Sequence, residues 1–301
     1  MKLIIQIPCY NEEKTLPVAL AELPRIVEGF DTVEWLVIDD GSSDRTAVIA
    51  AKYGVDHIVR LPENCGLATA FMTGINASLA RGADIIVNTD ADNQYYAADI
   101  QRLLKPILAG KAGFVIGIRP VYEIKEIPFL IKLLHKTGSV AVRMASGIDV
   151  SDPPSGFRAF SREVAGKLRV YNRYTYTLET IIQAGNQRIN VETVKVRVNM
   201  EKLRPSRLMT SPYSYVLKSS LIILQCLLHY NPLRFMLLFC LPPVSAAALS
   251  LLYIGFYQIC FSSVLVLVVA IVALLFILIA SFPVIFSYGN FDKGLSPRGS
   301  L

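Results

Sequence analysis

With 301 residues, 53% of them apolar, and a formal charge of +6, the chain has room for one large domain or two small ones. The apolar share exceeds that of an ordinary water-soluble globule, and the five cysteines (Cys9, Cys65, Cys226, Cys240, Cys260) show no metal-ligand spacing and fit reduced thiols. The basic excess is modest and holds no run dense enough for nucleic acid; it suits a membrane surface.

Residues 3–7 read as a first strand, too short and too soon polar for a secretory signal, stopped by Pro8 and opening into Cys9-Tyr10-Asn11-Glu12-Glu13. A helix follows from Thr15. Residues 34–38 form a second strand ending in Asp39-Asp40-Gly41-Ser42-Ser43-Asp44, whose last residues cap a helix through Tyr53. Residues 57–61 are a third strand, and Asn64-Cys65-Gly66-Leu67-Ala68 leads into a helix ending near Arg81. The apolar run from Asp84 then stops abruptly at Asp90-Ala91-Asp92-Asn93-Gln94, before a helix from Ala97. Strand and helix alternating at this spacing predict a parallel, doubly wound sheet.

The polar loops at 8–13, 39–44 and 90–94 would then meet at one sheet edge, where open α/β sheets bind ligands. Asp90 and Asp92, one residue apart, are hard oxygen donors suited to Mg²⁺ or Mn²⁺ held with substrate phosphates. The same residues can also simply turn the chain and cap the next helix. Asp39 and Asp40 can accept from a ribose or a base N–H, or form a turn. No Gly-x-Gly-x-x-Gly follows the first strand and no Walker sequence occurs, which takes most of the weight from dinucleotide oxidoreductases and P-loop enzymes.

A strand at 113–118 is followed by Arg119 and by a segment at 124–147 that sets apolar residues at helical spacing among Lys125, Lys132, Lys136 and Arg143. It reads as a helix of the membrane interface or as an ordinary amphipathic helix over the sheet. Asp152-Pro153-Pro154 fits a turn; Glu179 can cap an apolar helix, and residues 191–198 alternate as a strand. Arg204 and Arg207 lie in a basic cluster at 202–208, and 213–230 reads as an interfacial helix. Residues 235–291 carry no charge. At about 1.5 Å per residue that stretch crosses a hydrocarbon core of about 30 Å twice. Two transmembrane helices are expected, at 233–257 with a kink at Pro242-Pro243, and at 263–288. Lys218 and Arg234 before the pair and Lys293 and Arg298 after it put both ends in the cytoplasm.

Ile7-Pro8-Cys9-Tyr10-Asn11-Glu12-Glu13, Val37-Ile38-Asp39-Asp40-Gly41-Ser42-Ser43-Asp44-Arg45-Thr46, Asn64-Cys65-Gly66-Leu67-Ala68-Thr69-Ala70 and Asp90-Ala91-Asp92-Asn93-Gln94 resemble the successive motifs of glycosyltransferase family 2. The nearest resemblance is to dolichyl- and undecaprenyl-phosphate sugar synthases, and it covers about the first 210 residues. It implies a GT-A type α/β domain at 1–210; with the charge-free run and its flanking cations, the chain is expected to divide into that domain, cytosolic, an interfacial helix at 211–232, the hairpin at 233–291 and a cytosolic tail at 292–301. It also implies transfer of one sugar, with inversion, from a nucleoside-diphosphate sugar to a polyprenyl phosphate. Pro8, Tyr10, Glu12 and Asp39 would line the nucleotide pocket, supported by Asp40 and the turn from Gly66 to Ala68. Asp90, Asp92 and Gln94 would hold the metal, Mg²⁺ or Mn²⁺, and the diphosphate.

By the same resemblance Arg119 and Lys136 would meet the acceptor phosphate, Lys136 standing where arginine is usual. Asp152 to Arg158 match the family's Asp-Pro-x-Ser-Gly-Phe-Arg stretch and make Asp152 and Arg158 catalytic candidates; Gly156 stands where some relatives have an acid. Arg204 and Arg207 fall in a loop that closes over the diphosphate, with its usual Gly and Lys replaced. The expected partners are the sugar nucleotide, the lipid phosphate and the bilayer, with a homo-oligomer open through the hairpin. Other readings are a processive polysaccharide synthase, weakened because the only tryptophan is Trp35, and a catalytically silent membrane scaffold that binds nucleotide.

Overall fold

The computed structural model describes residues 1–121, 129–172, 174–199 and 212–235, and then 237, 241–243, 245–246 and 248–250. They fall in two units, Met1–Cys226 and Leu227–Leu301.

The first unit is built on β1 (Lys2–Cys9), β2 (Thr32–Asp39), β3 (His57–Arg60), β4 (Ile85–Asn88), β5 (Phe114–Ile118), β6 (Arg158–Ser161) and β7 (Val191–Lys195). Their order in one sheet is β3-β2-β1-β4-β6-β5-β7. Between them run α1 (Leu16–Glu22), α2 (Thr46–Lys52), α3 (Leu67–Ala80), α4 (Ile100–Leu108), α5 (Phe129–Ser146), α6 (Arg162–Lys167) and α7 (Thr177–Asn186); α8 (Pro212–Tyr230) follows β7. Leu3, Ile5, Ile7, Val37 and Val87 point to one face, into a core with Leu16, Leu20 and Leu103. On the other face Gln6 and Ile38 approach Gly74 of α3, and Phe71 meets the ring of Phe160 edge-on. A sheet covered on both faces explains strands that are apolar throughout rather than alternating.

Two expectations change. The sheet is mixed, not parallel throughout: β6 enters antiparallel between β4 and β5. Pro8 does not stop β1, which pairs with β2 as far as Cys9 opposite Asp39. The reason is that β4 pairs with β1 only up to Gln6, so an imide nitrogen lacking its hydrogen costs no ladder bond on that open side.

The described part of the second unit holds the end of α8, the short helix α9 (Pro232–Phe235) and helical residues at 241–243 and 248–250. Leu233, Leu237, Leu241 and Leu249 there are each more than half exposed. Among the described residues no helix is long and apolar enough to cross a membrane. The span expected at 263–288, the part of the other beyond residue 250 and the tail at 292–301 lie outside them.

Candidate active site

Parallel pairing of β2, β1 and β4 brings their carboxyl ends, and the loops after them, to one edge. The first two loops are laced together: the Asn11 N–H donates to Ser42 Oγ at 2.9 Å, Glu12 N–H to Thr46 Oγ1 at 2.8 Å and Glu13 N–H to Asp44 Oδ2 at 3.0 Å. Glu12 is buried and Tyr10 exposed; Pro8 is buried in β1. Asp39 is fully buried, its Oδ1 accepting from the Ser42 N–H at 2.9 Å. Its Oδ2 lacks a hydrogen bond although the Arg60 Nε lies 3.3 Å away.

Asp40 binds the next loop. Its two oxygens accept from the N–H groups of Cys65 and Gly66 at 2.8 and 3.0 Å, and burial pushes its carboxyl up against the pull of those bonds. Gly66 has φ +94° at the start of α3, a backbone few side chains tolerate, while Ala68, the second residue of the helix, is buried.

In the third loop burial alternates: Asp90, Asp92 and Gln94 are half-buried while Ala91, Asn93 and Tyr95 are buried. Asp92 Oδ1 accepts from the Gln94 N–H at 3.3 Å. A β-carbon on Gly156 would come within 2.8 Å of both Asp90 oxygens, so that carboxylate lies against a bare backbone. Around it the Tyr95 hydroxyl accepts from the Gly156 N–H at 2.9 Å, and the Asn88 amide donates to the Gly156 carbonyl and the Tyr176 hydroxyl, each at 2.8 Å. Burial, then the Asp90 charge, keeps the Tyr95 phenol well above its ordinary range and so protonated. Among the described residues no three His, Cys, Asp or Glu side chains cluster as metal ligands. Two carboxylates and a carboxamide oxygen are nonetheless the donor chemistry that Mg²⁺ or Mn²⁺ takes when waters and phosphates complete the shell.

Arg119 leaves β5 at the same edge. Its Nε and backbone N–H reach Asp152 Oδ2 at 2.8 and 3.1 Å, Nη2 reaches Oδ1 at 2.8 Å, and Nη1 donates to Gln94 Oε1 at 3.2 Å. Burial pushes the Asp152 carboxyl up, but Arg119 and then His135 outweigh it and hold it well below the usual range. Asp152, at 1% exposure and with both oxygens engaged, holds Arg119 rather than presenting a carboxylate of its own. His135 was not anticipated; its Nε2 lies 3.0 Å from Asp152 Oδ1. The only hint in the sequence was a histidine beside Lys136, and Lys136 itself is exposed on α5.

Arg158, a catalytic candidate by resemblance, is held inside the fold. It is fully buried, its guanidinium donating to the carbonyls of Pro153, Ser155 and Thr177 at 2.7, 2.7 and 2.9 Å and to Thr180 Oγ1 at 2.6 Å. Burial pushes it down to about 10. It fastens the 153–155 turn to α7. Glu179 does not cap its own helix but accepts from the N–H groups of Tyr171 and Asn172 before it. The chain after β7 comes back to the acidic loop, where Asn199 N–H donates to the Gln94 carbonyl at 2.9 Å and Tyr96 N–H to the Arg197 carbonyl at 3.2 Å. Arg204 and Arg207 lie outside the described residues.

The family model described as Glycosyl transferase family 2 matches residues 4–169. Uncharacterized protein MJ1222 of Methanocaldococcus jannaschii is 33% identical over 212 residues, which cover 68% of this chain and 85% of that one. Polyprenol monophosphomannose synthase of Mycolicibacterium smegmatis is 28% identical over 216 residues, 68% of this chain and 80% of the relative. Glucosyl-3-phosphoglycerate synthase of Mycobacterium tuberculosis, solved with Mn²⁺, UDP and glucosyl-3-phosphoglycerate, superposes with a TM-score of 0.58 at 23% identity, covering 74% of this chain and 79% of that one. That likeness gives the fold, an α/β GT-A-like fold with a mixed sheet.

Proposed function

We propose a specific reaction for this chain, which belongs to glycosyl transferase family 2 and is a glycosyltransferase. It moves one sugar from a nucleoside diphosphate to a polyprenyl phosphate. The observation that carries this reading is the bond from Arg119 Nη1 to Gln94 Oε1, because it sets a cation fit for an acceptor phosphate directly on the acidic loop that would hold the donor. The relative that acts on a polyprenol phosphate supports the same acceptor.

In this reading the orphaned Oδ2 of Asp39 receives an N–H or O–H of the nucleoside, in a pocket bounded by Pro8, Tyr10, Glu12 and the turn from Gly66 to Ala68 that Asp40 secures. Asp90 and Asp92 would hold a divalent ion of the kind present in the solved relative, with Gln94 joining them through the second lone pair of the oxygen that accepts from Arg119 Nη1. Bound there, Mg²⁺ or Mn²⁺ neutralises the charge growing on the departing diphosphate. Arg119, with Lys136 on the exposed side of α5, orients the acceptor phosphate. A phosphate oxygen forms a bond to the anomeric carbon as the bond to the nucleoside diphosphate breaks, with inversion. A phosphate monoester is already ionised at neutral pH, so no protein base is required, in keeping with the full engagement of Asp152.

The lipid substrate explains the rest of the chain. Leu133, Val140 and Met144 on α5, Leu217 and Leu221 on α8 and the leucines of the second unit are exposed, as helices at a bilayer surface present them. We assign 1–210 to a cytosolic catalytic domain, 211–232 to the interface and 233–291 to a transmembrane hairpin with both ends in the cytoplasm. Confinement to the membrane plane raises the effective concentration of the lipid head group.

Transfer assays with polyprenyl phosphate, Mn²⁺ or Mg²⁺ and a panel of radiolabelled UDP- and GDP-sugars test this, with Asp92→Ala as control. Metal-dependent label in a mild-acid-labile lipid is expected, and none from the variant. Failure of every donor to label lipid, with one sugar nucleotide nevertheless bound, would remove the acceptor assignment.

A further inference from the structure

We propose that His135 is a positioning residue for the acceptor: through Asp152 it fixes the direction in which Arg119 presents Nη1, and ties α5 to the donor loop. The inference rests on the acceptor reading above and adds to it a residue that touches neither substrate.

An ionised carboxylate has four acceptor sites, two on each oxygen. At Asp152 three are taken by Arg119, through its backbone N–H, Nε and Nη2. The fourth is taken by His135 Nε2 at 3.0 Å. Because the carboxylate can only accept, the imidazole proton sits on Nε2. With Asp152 saturated, Arg119 has one terminal nitrogen directed elsewhere, Nη1, and it reaches Gln94. The path from α5 to the acidic loop is therefore continuous: His135, Asp152, Arg119, Gln94.

A second contact shows that this is how α5 is docked. One turn after His135, Ser139 Oγ lies 2.9 Å from the His135 carbonyl and 3.0 Å from the Ser151 carbonyl, so two successive turns of α5 are held to residues 151 and 152. Lys132 and Lys136 flank His135 on that helix. The alignment of the basic side of α5 with Arg119 thus depends on the imidazole.

If His135 is replaced by leucine, one Asp152 lone pair loses its donor. Arg119 can then turn to satisfy it, taking Nη1 away from Gln94. The test is steady-state transfer to polyprenyl phosphate by full-length wild type, His135→Leu, His135→Gln and Ser139→Ala, with KM measured separately for donor and acceptor. A hydrogen bond to a charged group is worth enough that His135→Leu should raise the acceptor KM by about tenfold or more, with the donor KM changed less than about twofold. His135→Gln, whose Nε2 can occupy the position of the imidazole Nε2, should recover most of the loss. Ser139→Ala, which loosens the helix but not the carboxylate, should raise the acceptor KM less than His135→Leu does. An acceptor KM equal in all four proteins overturns the proposal, as does a parallel rise of both KM values that glutamine does not relieve, the mark of a merely structural histidine. Wild type that transfers nothing to polyprenyl phosphate would remove the acceptor reading itself and this proposal with it, an outcome visible before any variant is compared.

Discussion

A β-carbon placed on Gly156 would stand 2.8 Å from both carboxylate oxygens of Asp90 and 3.0 Å from the Tyr176 hydroxyl. The tyrosine is stacked on Phe71, with 3.8 Å between ring centroids, and cannot yield; the carboxylate can. Gly156→Ala should therefore leave melting within about 4 °C of wild type, the shift of roughly 1 kcal/mol in a domain this size. Transfer should fall by at least about tenfold if, as proposed, that carboxylate of the acidic loop serves the transition state. Unchanged kcat/KM beside unchanged melting would show that Asp90 need not lie where it does.

Asp40 serves two backbone donors at once. Asn offers one oxygen, so Asp40→Asn turns an amide toward a part-buried N–H and should cost about 1 kcal/mol or more of stability. In the proposed pocket it should also weaken nucleotide binding more than acceptor binding. Urea unfolding and titration with UDP and GDP measure the two effects, and a variant as stable as wild type would mean water replaces the carboxylate without loss.

Acid stability should be governed in part by Asp152. Its folded-state value lies below the 3.8 of an ordinary aspartate. The stabilisation is thus complete above that unfolded value and is lost as pH falls through the folded one. Asp152→Asn, which takes the charged partner from the part-buried Arg119 guanidinium, should be less stable by up to about 3 kcal/mol at pH 7. The gap should close as pH drops below 3.8. Melting curves from pH 7 to pH 2 that run parallel for the two proteins would contradict the pairing.

For Arg158, four donors and no carboxylate partner among its bonds predict a stability phenotype. Arg158→Met should lose about 3 kcal/mol or more, near 1 kcal/mol for each bond removed. Activity per folded molecule should drop less than total activity. Full stability with abolished turnover would return Arg158 to the chemistry.

The acidic loop was legible because chemistry and periodicity coincide there: an apolar strand ends, and every second residue from Asp90 to Gln94 carries an oxygen donor. The lacing of the first two loops follows the same logic of strand ends in a parallel sheet. The antiparallel β6 was not legible, since four residues beginning with an arginine carry no strand signature and their place between β4 and β5 is a tertiary fact. The same holds for Arg158, whose type argues for solvent while its partners are carbonyls scattered over two other segments. His135 escaped notice because its partner lies 17 residues on, across a turn whose direction the sequence does not state.

The bridge between Tyr95 and Val198 has a mechanical meaning. Together with the Asn199 bond to Gln94 and the pairing of Arg197 with Asp99, it sews the outgoing chain to the loop that carries Asp90 and Asp92. A displacement of the chain at Asn199 is borne by that seam, at Gln94, before it reaches the sheet. The acidic loop is thus coupled to the chain that leaves the sheet more directly than the strands are.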